Sequence, residues 1–416
     1  MEDFSNSKRV NKLLLNVKEV RNQTNKLIKN LEIDDLVIQT ANYVSPIKWH
    51  LGHTSWFFEK FILAKYYKNY KFFNKEYDFI FNSYYETIGH YNSKENRGNL
   101  SRPSLNEVIN YRAYVDKNLD FLFDIYNVDL ENLLSIALNH EQQHQELILM
   151  DVKHILYSNI NKPKYIKQKS DIYSHSKIKK RNEFILNSSV ETKYGYDGNE
   201  FSFDNEQPLS NIKLNPFILT EFVTNEDWQL FIEDKGYSRP EFWLSDGWEF
   251  ITKNRIDKPM YWIDKNLIFS LNGVEKINMD SPVSHISFYE AMAYARYKNA
   301  TLPSEFEIEY VLKASKKSGN LLENKVFKEH SYNSDKFYDN FYGNLWIWSS
   351  SPYLPYKNYK AYESSLAEYN EKFMCNQYVL KGGSFATPID HIRASYRNFY
   401  YPHDRWHFSG LRLKKF

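Results

Sequence analysis

The period of the hydrophobic pattern changes once along this chain, near residue 160, and that change constrains the fold more than any other feature of the sequence. Before it, apolar residues recur at helical spacing. Val10, Leu13, Leu14, Val17, Val20, Leu27, Ile28 and Leu31 mark one long amphipathic helix. Ser45 followed by Pro46 predicts the start of a second helix, with the serine capping free amides and the proline preorganised for the first turn. That helix carries Trp49, His53, Trp56 and Phe57 on one side, with His50 away from it. Ser104 and Glu107 form a capping box for a third, whose buried side holds Leu105, Val108, Tyr111, Val115 and Leu119. Asp129 opens a fourth, from about Leu130 to Leu156. Four such helices suggest an antiparallel bundle over residues 1–160.

Residues 161–182 break the pattern with a basic run, KPKYIKQKSDIYSHSKIKKRN, that reads as a solvated linker. From 183 to 416 short apolar runs alternate with turn signals such as YDGNE, EDKGY, SDGW and LNGV. One helix interrupts them at about Ser287 to Lys298 and another follows LPSE, near residue 303. This half reads as an α+β domain whose function sits on loops. A chain of 416 residues is too long for one core, so two domains are expected. A hydrophobic content of 42% with 25% charged residues excludes extensive disorder. The net charge of +2 offers no global field for nucleic acid or an anionic membrane. No window approaches the roughly 18 apolar residues of a membrane span, and the charged start MEDFSNSKRV lacks a signal-peptide core. The single cysteine, Cys375, excludes an internal disulfide and reads as a core residue. The expectation is a cytoplasmic protein whose partners are small molecules; the oligomeric state stays open.

The sharpest local feature is NHEQQHQE. His140 and His144 lie one turn apart on a helix face shared with Leu133, Ile136, Ala137 and Leu147, so both imidazoles point inward. Buried histidines need partners, which can be hydrogen bonds or a metal. The pair also fits the HExxH pattern of zinc peptidases, with Glu141 as the general base or simply a solvent-facing residue, but no third ligand follows at a suitable distance. Glu146, about 200° round the helix from His144, reads as a supporting residue. His53 points inward from the second helix, either as a third ligand or as core filling. Three such histidines would make a neutral nitrogen site suited to iron or zinc.

Taken in order along nearly the whole chain, these motifs carry a family resemblance. They are SPIKWHLGHTSWFFE, FNSYYETIG, LSRP, HEQQHQE, FDNEQP, VTNEDWQLFIEDKGYSRPEFWLSDGW, PVSHISFYEAMAYARYKNATLPSE, GNLWIWSSSPY and VLKGGSFATPIDHIRASYRNFYYPHDRWHFSGLRL. The chain resembles the ergothioneine-biosynthesis sulfoxide synthases, also called hercynylcysteine sulfoxide synthases. The resemblance implies a DinB-like four-helix bundle joined to a formylglycine-generating-enzyme-like domain with a C-type-lectin-like fold. It implies Fe(II) bound by His53, His140 and His144, with O2 as co-substrate. The reaction it implies joins the sulfur of L-cysteine to C2 of the hercynine imidazole and oxidises that sulfur to the sulfoxide.

The same resemblance makes Tyr84 and Tyr85 the tandem tyrosines of the cysteine-using branch, and Gln143 the partner of the substrate imidazole. Asn398 and Phe399 match the family's pocket segment, and Tyr400, Arg397 and Trp346 are candidates beside them for hercynine's trimethylammonium and carboxylate. Arg102 and Arg405 are further carboxylate candidates, whereas Arg412 in FSGLRL reads as a structural salt bridge. Two departures stand out. Ile347 replaces the glutamate usual in the tryptophan loop of the wider lectin-like superfamily, and no cysteine but Cys375 exists to generate formylglycine. The alternatives are a related synthase using γ-glutamylcysteine, histidine or a selenium donor, a zinc hydrolase of the HExxH kind, and a binding protein without catalysis.

Overall fold

The four helices expected before residue 160 form, and their ends follow from local chemistry. The computed structural model describes residues 2–125, 127–166, 182–330 and 341–415, with residues 2–7, 364 and 365 described by backbone alone. Residues 167–181, most of the expected linker, lie outside the described residues. Helix α1 spans Glu2–Ile28, α2 Ile47–Phe58, α3 Leu105–Leu119 and α4 Val128–Ser158. Ser104 and Glu107 make the capping box that opens α3. Helix α4 starts earlier than expected because Asn127, not Asp129, is its cap: the Asn127 side chain accepts from the Asp129 and Leu130 amides. Ser45 does not cap α2. Its hydroxyl instead accepts from Arg97 Nη1 at 2.9 Å and its amide donates to Asp151 Oδ2 at 2.9 Å.

The chain divides into two units, Met1–Tyr165 with Glu363–Tyr369, and Ile166–Tyr362 with Asn370–Phe416. The short stretch Glu363–Tyr369 thus belongs with the helices although it lies far along the sequence. In the first unit α4 packs against α1 and α2, and α2 packs also on α3. Every residue of α2 is buried, polar ones included. At the centre of this packing sits Glu141, which is fully buried and so corrects its reading as a solvent-facing residue. Its Oε1 accepts from Arg112 Nη2 at 2.6 Å and Thr24 Oγ1 at 2.7 Å, and its Oε2 from Arg21 Nη1 at 3.1 Å. The two guanidiniums reach further, Arg112 to Thr54 Oγ1 and Arg21 to Ser55 Oγ, so one carboxylate links all four helices.

The second unit mixes helix and sheet. Its main strands are β1 (Glu183–Leu186), β2 (Phe217–Phe222), β3 (Trp346–Pro352), β4 (Tyr378–Lys381), β5 (Asn398–Tyr400), β6 (Ser409–Gly410) and β7 (Arg412–Lys415). One antiparallel sheet runs β1-β2-β7; another runs β5-β4-β3-β6, with β6 parallel to β3. Helices α5 (Asn225–Glu233), α6 (Ser245–Asn254), α7 (Phe288–Tyr297) and α8 (Glu305–Ala314) accompany them. The last two begin at capping boxes, Ser287 with Glu290 and Ser304 with Glu307, close to where the sequence places them. Helices α5 and α6 were not anticipated, and SDGW, which looks like a turn, is the first turn of α6. Cys375 is exposed, not a core residue. Among the described residues no helix is long and apolar enough to cross a membrane.

The Glu141 network makes a testable demand. Burial would raise the Glu141 carboxyl, but the charges of Arg112 and Arg21 and the hydrogen bonds from Arg112 and Thr24 outweigh it and hold it down to about 2. Its contribution to stability is therefore complete above its ordinary 4.5 and is lost as pH falls from there towards 2. Glu141→Gln removes the charge and takes from Arg112 its carboxylate partner, while Arg21 keeps Asp116, so it should cost about 3 kcal/mol at neutral pH. Urea unfolding of the two proteins from pH 7 to 3 checks this: the gap should narrow on acidification.

Candidate metal centre

Helix α2 delivers His53 and α4 delivers His140 and His144, the latter two one turn apart. Each histidine offers one ring nitrogen such that all three lie within 4.8 Å of one another. His53 Nε2 and His140 Nε2 are 3.1 Å apart, and the ring centroids of His140 and His144 are 4.6 Å apart. Aromatic walls hold the rings: Trp49 stacks on His53 at 4.7 Å and 9°, and Phe57 lies 4.4 Å from His140.

Hydrogen bonding selects the tautomers. His53 Nδ1 lies 2.6 Å from the Phe81 carbonyl, which can only accept, so Nδ1 carries the proton and Nε2 is a bare lone pair. Burial, with its histidine and arginine neighbours, keeps His53 and His144 far below the usual imidazole range, and burial brings His140 down to about 3. A proton is thus a poor bridge between them. His140 Nδ1 is buried and has no hydrogen-bond partner among the described residues. Neutral nitrogens that converge, with one lone pair aimed at a neighbour and one ring nitrogen orphaned, fit a bound divalent transition metal. No carboxylate belongs to the cluster. Glu141 is spent on Arg21, Arg112 and Thr24 and held ionised, so the hydrolase alternative loses its general base.

The sequence puts His50 away from the inner face of α2; the structure corrects this. His50 is buried with its Nδ1 2.8 Å from His144 Nδ1 and its Nε2 2.9 Å from Asp151 Oδ2. The burial of α2 on all sides removes the distinction between inner and outer faces on which the expectation rested.

Tyr84 and Tyr85 sit in the same unit, their rings stacked at 4.5 Å and their hydroxyls 3.4 Å apart. Tyr85 is fully buried, with its ring 5.8 Å from Trp56 and 5.3 Å from Phe61. Burial, then the neighbouring Tyr84 and Tyr369, hold its hydroxyl well above the usual phenol range. Gln143 meets a residue that sequence reasoning missed: its Oε1 accepts from the hydroxyl of Tyr369, whose ring lies 5.9 Å from that of His140. Next to Tyr369, the Glu368 carboxylate accepts from the Glu86 amide at 3.1 Å, and from the Thr87 amide at 2.9 Å and hydroxyl at 2.6 Å. The segment is therefore tied to the loop that follows the tyrosine pair. Tyr369 is one of 34 tyrosines, in an aperiodic stretch, and no local signal marks it.

Arg102 is exposed and donates to its neighbour's carbonyl, Ser101 O. The remaining candidate residues belong to the second unit. Trp346 is buried in β3. Asn398, Phe399 and Tyr400 form edge strand β5, where Asn398 Oδ1 accepts from the Phe399 amide, Phe399 stacks on Tyr353 at 4.1 Å, and Tyr400 stacks on His407 at 4.1 Å. Arg397, a carboxylate candidate by sequence, already donates to both oxygens of Glu305 and to the Asn205 and Leu354 carbonyls. Arg405 is likewise engaged, by Glu290 and the Lys258 carbonyl. Arg412 donates to the Thr220 carbonyl and lies over Phe222 and Phe341.

Residues 175–341 and 337–415 match the family model of the sulfatase-modifying factor enzyme 1-like domain. The chain is 27% identical over 361 residues to the hercynine oxygenase of Mycolicibacterium smegmatis, an alignment covering 79% of this chain and 82% of that one. It is 29% identical over 245 residues to the hercynine oxygenase of Mycobacterium tuberculosis, covering 51% and 55%. The hercynine oxygenase of Mycolicibacterium thermoresistibile is 28% identical over 239 residues, covering 51% and 54%. The matched part spans about half the length of the latter two relatives.

A metal held by this trio should be lost when one imidazole is removed. His53→Ala and His140→Ala are each expected to drop iron content, measured by elemental analysis after anaerobic Fe(II) loading, from about one per chain to near zero. Circular dichroism should show the helices intact. Full occupancy in either variant would remove that residue from the centre.

Proposed function

This chain belongs to the sulfatase-modifying factor enzyme 1-like domain family, and from that premise we propose that it is a non-haem iron oxidoreductase acting on hercynine. In this reading it joins the sulfur of L-cysteine to C2 of the hercynine imidazole and oxidises that sulfur to the sulfoxide, in ergothioneine biosynthesis. The helical unit is then a DinB-like bundle and the second unit a C-type-lectin-like domain, working in the cytoplasm. The reaction balances: the C2 hydrogen, the thiol hydrogen and O2 give the C–S bond, the sulfoxide oxygen and one water. The observation that carries the proposal is the convergence of His53, His140 and His144 as neutral donors, with Tyr369, the partner of Gln143, 5.9 Å from His140. The hercynine oxygenases named above support the substrate.

Iron(II) held by His53, His140 and His144 would supply O2 activation and a site for the thiolate. The chain's own residues do the rest. Gln143 carries an amide that can accept from or donate to an imidazole nitrogen, and its bond from Tyr369 orients it. Burial keeps Tyr85 protonated at neutral pH, so its hydroxyl is a proton donor rather than a base. The hydroxyl of Tyr84, 3.4 Å away, can replenish that proton. Trp49, Trp56 and Phe57 exclude water around the histidines. For hercynine's quaternary ammonium, Asn398, Phe399 and Tyr400 with Trp346 remain the proposed pocket residues of the second unit.

Mass spectrometry of an aerobic incubation tests the proposal. The iron-loaded protein is given hercynine with equal cysteine and γ-glutamylcysteine. The expected product is hercynylcysteine sulfoxide. The γ-glutamyl adduct would keep the reaction and replace the thiol, and no adduct despite bound iron would overturn the substrate. Tyr369→Phe removes the hydrogen bond that orients Gln143 and is expected to slow sulfoxide formation about 10-fold, the scale of one lost hydrogen bond. Replacing both Tyr84 and Tyr85 with Phe should divert turnover to thiol oxidation without C–S bond formation; an unchanged product would remove the pair from the mechanism.

A further inference from the structure

Three buried groups stand in line behind one of the candidate ligands. Asp151 Oδ2 accepts from the Ser45 amide at 2.9 Å and faces His50 Nε2 at 2.9 Å; His50 Nδ1 faces His144 Nδ1 at 2.8 Å. Asp151, His50 and His144 are all buried. The donor inventory leaves one consistent assignment for neutral rings. Asp151 Oδ2 is an acceptor, so His50 Nε2 carries a hydrogen. The other nitrogen of His50, Nδ1, is then an acceptor. His144 must therefore donate from Nδ1, which leaves its Nε2 as a lone pair.

We propose that His50 and Asp151 are positioning residues that fix the tautomer and ring plane of His144 and so raise the metal affinity of the three-histidine centre. The inference rests on the reading of His53, His140 and His144 as a metal site and deepens it. Each of the three ligands has a different support. His53 donates to a backbone carbonyl, which no side-chain substitution removes, and His140 Nδ1 has no hydrogen-bond partner among the described residues. Among the described residues only His144 has its second ring nitrogen held by a side chain, so it is the ligand whose tautomer a point substitution can loosen. A ligand histidine whose outer nitrogen loses its acceptor can rotate or change tautomer, and affinity then falls.

The relay is itself held from outside. Ser45 supplies the amide that fixes Asp151, and its hydroxyl accepts from Arg97 Nη1. The Arg97 guanidinium lies 3.3 Å from the centroid of Trp49, which stacks on His53. Ser45 is therefore drawn from the capping role its sequence suggests into the support of the centre. The i,i+3 spacing of His50 and His53 on α2 serves both ends: one histidine reaches the cluster and the other backs the ligand opposite.

Cobalt(II) titration of the full apo chain, followed by its visible ligand-field absorption, tests the relay. The unaltered chain should bind about one cobalt, and His53→Ala should bind none. His50→Leu should bind roughly 10- to 100-fold more weakly with a shifted ligand-field band. His50→Gln should recover most of that loss, because an amide can accept from His144 and donate to Asp151 at once. Asp151→Ala tests the same line should His50→Leu fail to fold: it removes the acceptor that fixes the His50 tautomer and should weaken and shift cobalt binding likewise. A merely structural role would lower the melting temperature of the apo chain without moving the band. Unchanged affinity and band in His50→Leu or Asp151→Ala, beside cobalt binding that His53→Ala abolishes, would overturn the relay and spare the metal centre. Binding that His53→Ala does not affect would overturn the metal centre, and the relay with it.

Discussion

A carboxylate with no access to water is tolerable only if it is paired, and Glu141 is paired twice over, by Arg21 from α1 and Arg112 from α3. That requirement sets the rotation of α4. Successive residues turn by about 100° on a helix, so once Glu141 is committed to the arginines, His140 and His144 are committed to another direction. The same arginines reach Thr54 and Ser55 on α2, one and two residues beyond His53. One ion-paired core thus aims histidines from two helices at one another. Precision of this kind comes from side chains whose rotamers are locked by packing and hydrogen bonds, not from the ligands alone.

The cluster stays neutral for the same reason that Tyr85 stays protonated: burial penalises whichever form carries charge. Neutral imidazoles suit a cation, and protonated phenols suit proton delivery to an oxygen. The two conditions coexist in one apolar surrounding, because Trp49, Trp56, Phe57 and Phe61 line it. The second unit treats its charges differently. Arg397 and Arg405 are neutralised by Glu305 and Glu290, and their donors serve the fold rather than a ligand. A forked guanidinium in the sequence is a carboxylate binder only when no carboxylate of the chain has already claimed it.

Much of this was legible in the sequence. The helical period of the first 160 residues, the capping boxes at Ser104, Ser287 and Ser304, and the change to strand and turn patterning depend on local propensity, and these elements form. That His140 and His144 share one helix face follows from the 3.6-residue repeat. The sulfatase-modifying factor enzyme 1-like domain was legible in motifs spread across the second half.

The tertiary structure decided what those residues meet. Ser45 preceding Pro46 looks like a cap, but Arg97 and Asp151 compete for its hydroxyl and amide and win. His50 looks like an outward residue, but α2 has no outward face. Tyr369 reaches Gln143 across 226 positions, a distance at which no periodicity speaks. The sequence by itself determined the long helices of the first unit, several of their caps and the residue types able to bind a metal, because those depend on neighbours within a few positions. Only the fold decided which polar group satisfies which, because that depends on burial, and burial is a property of the packed chain.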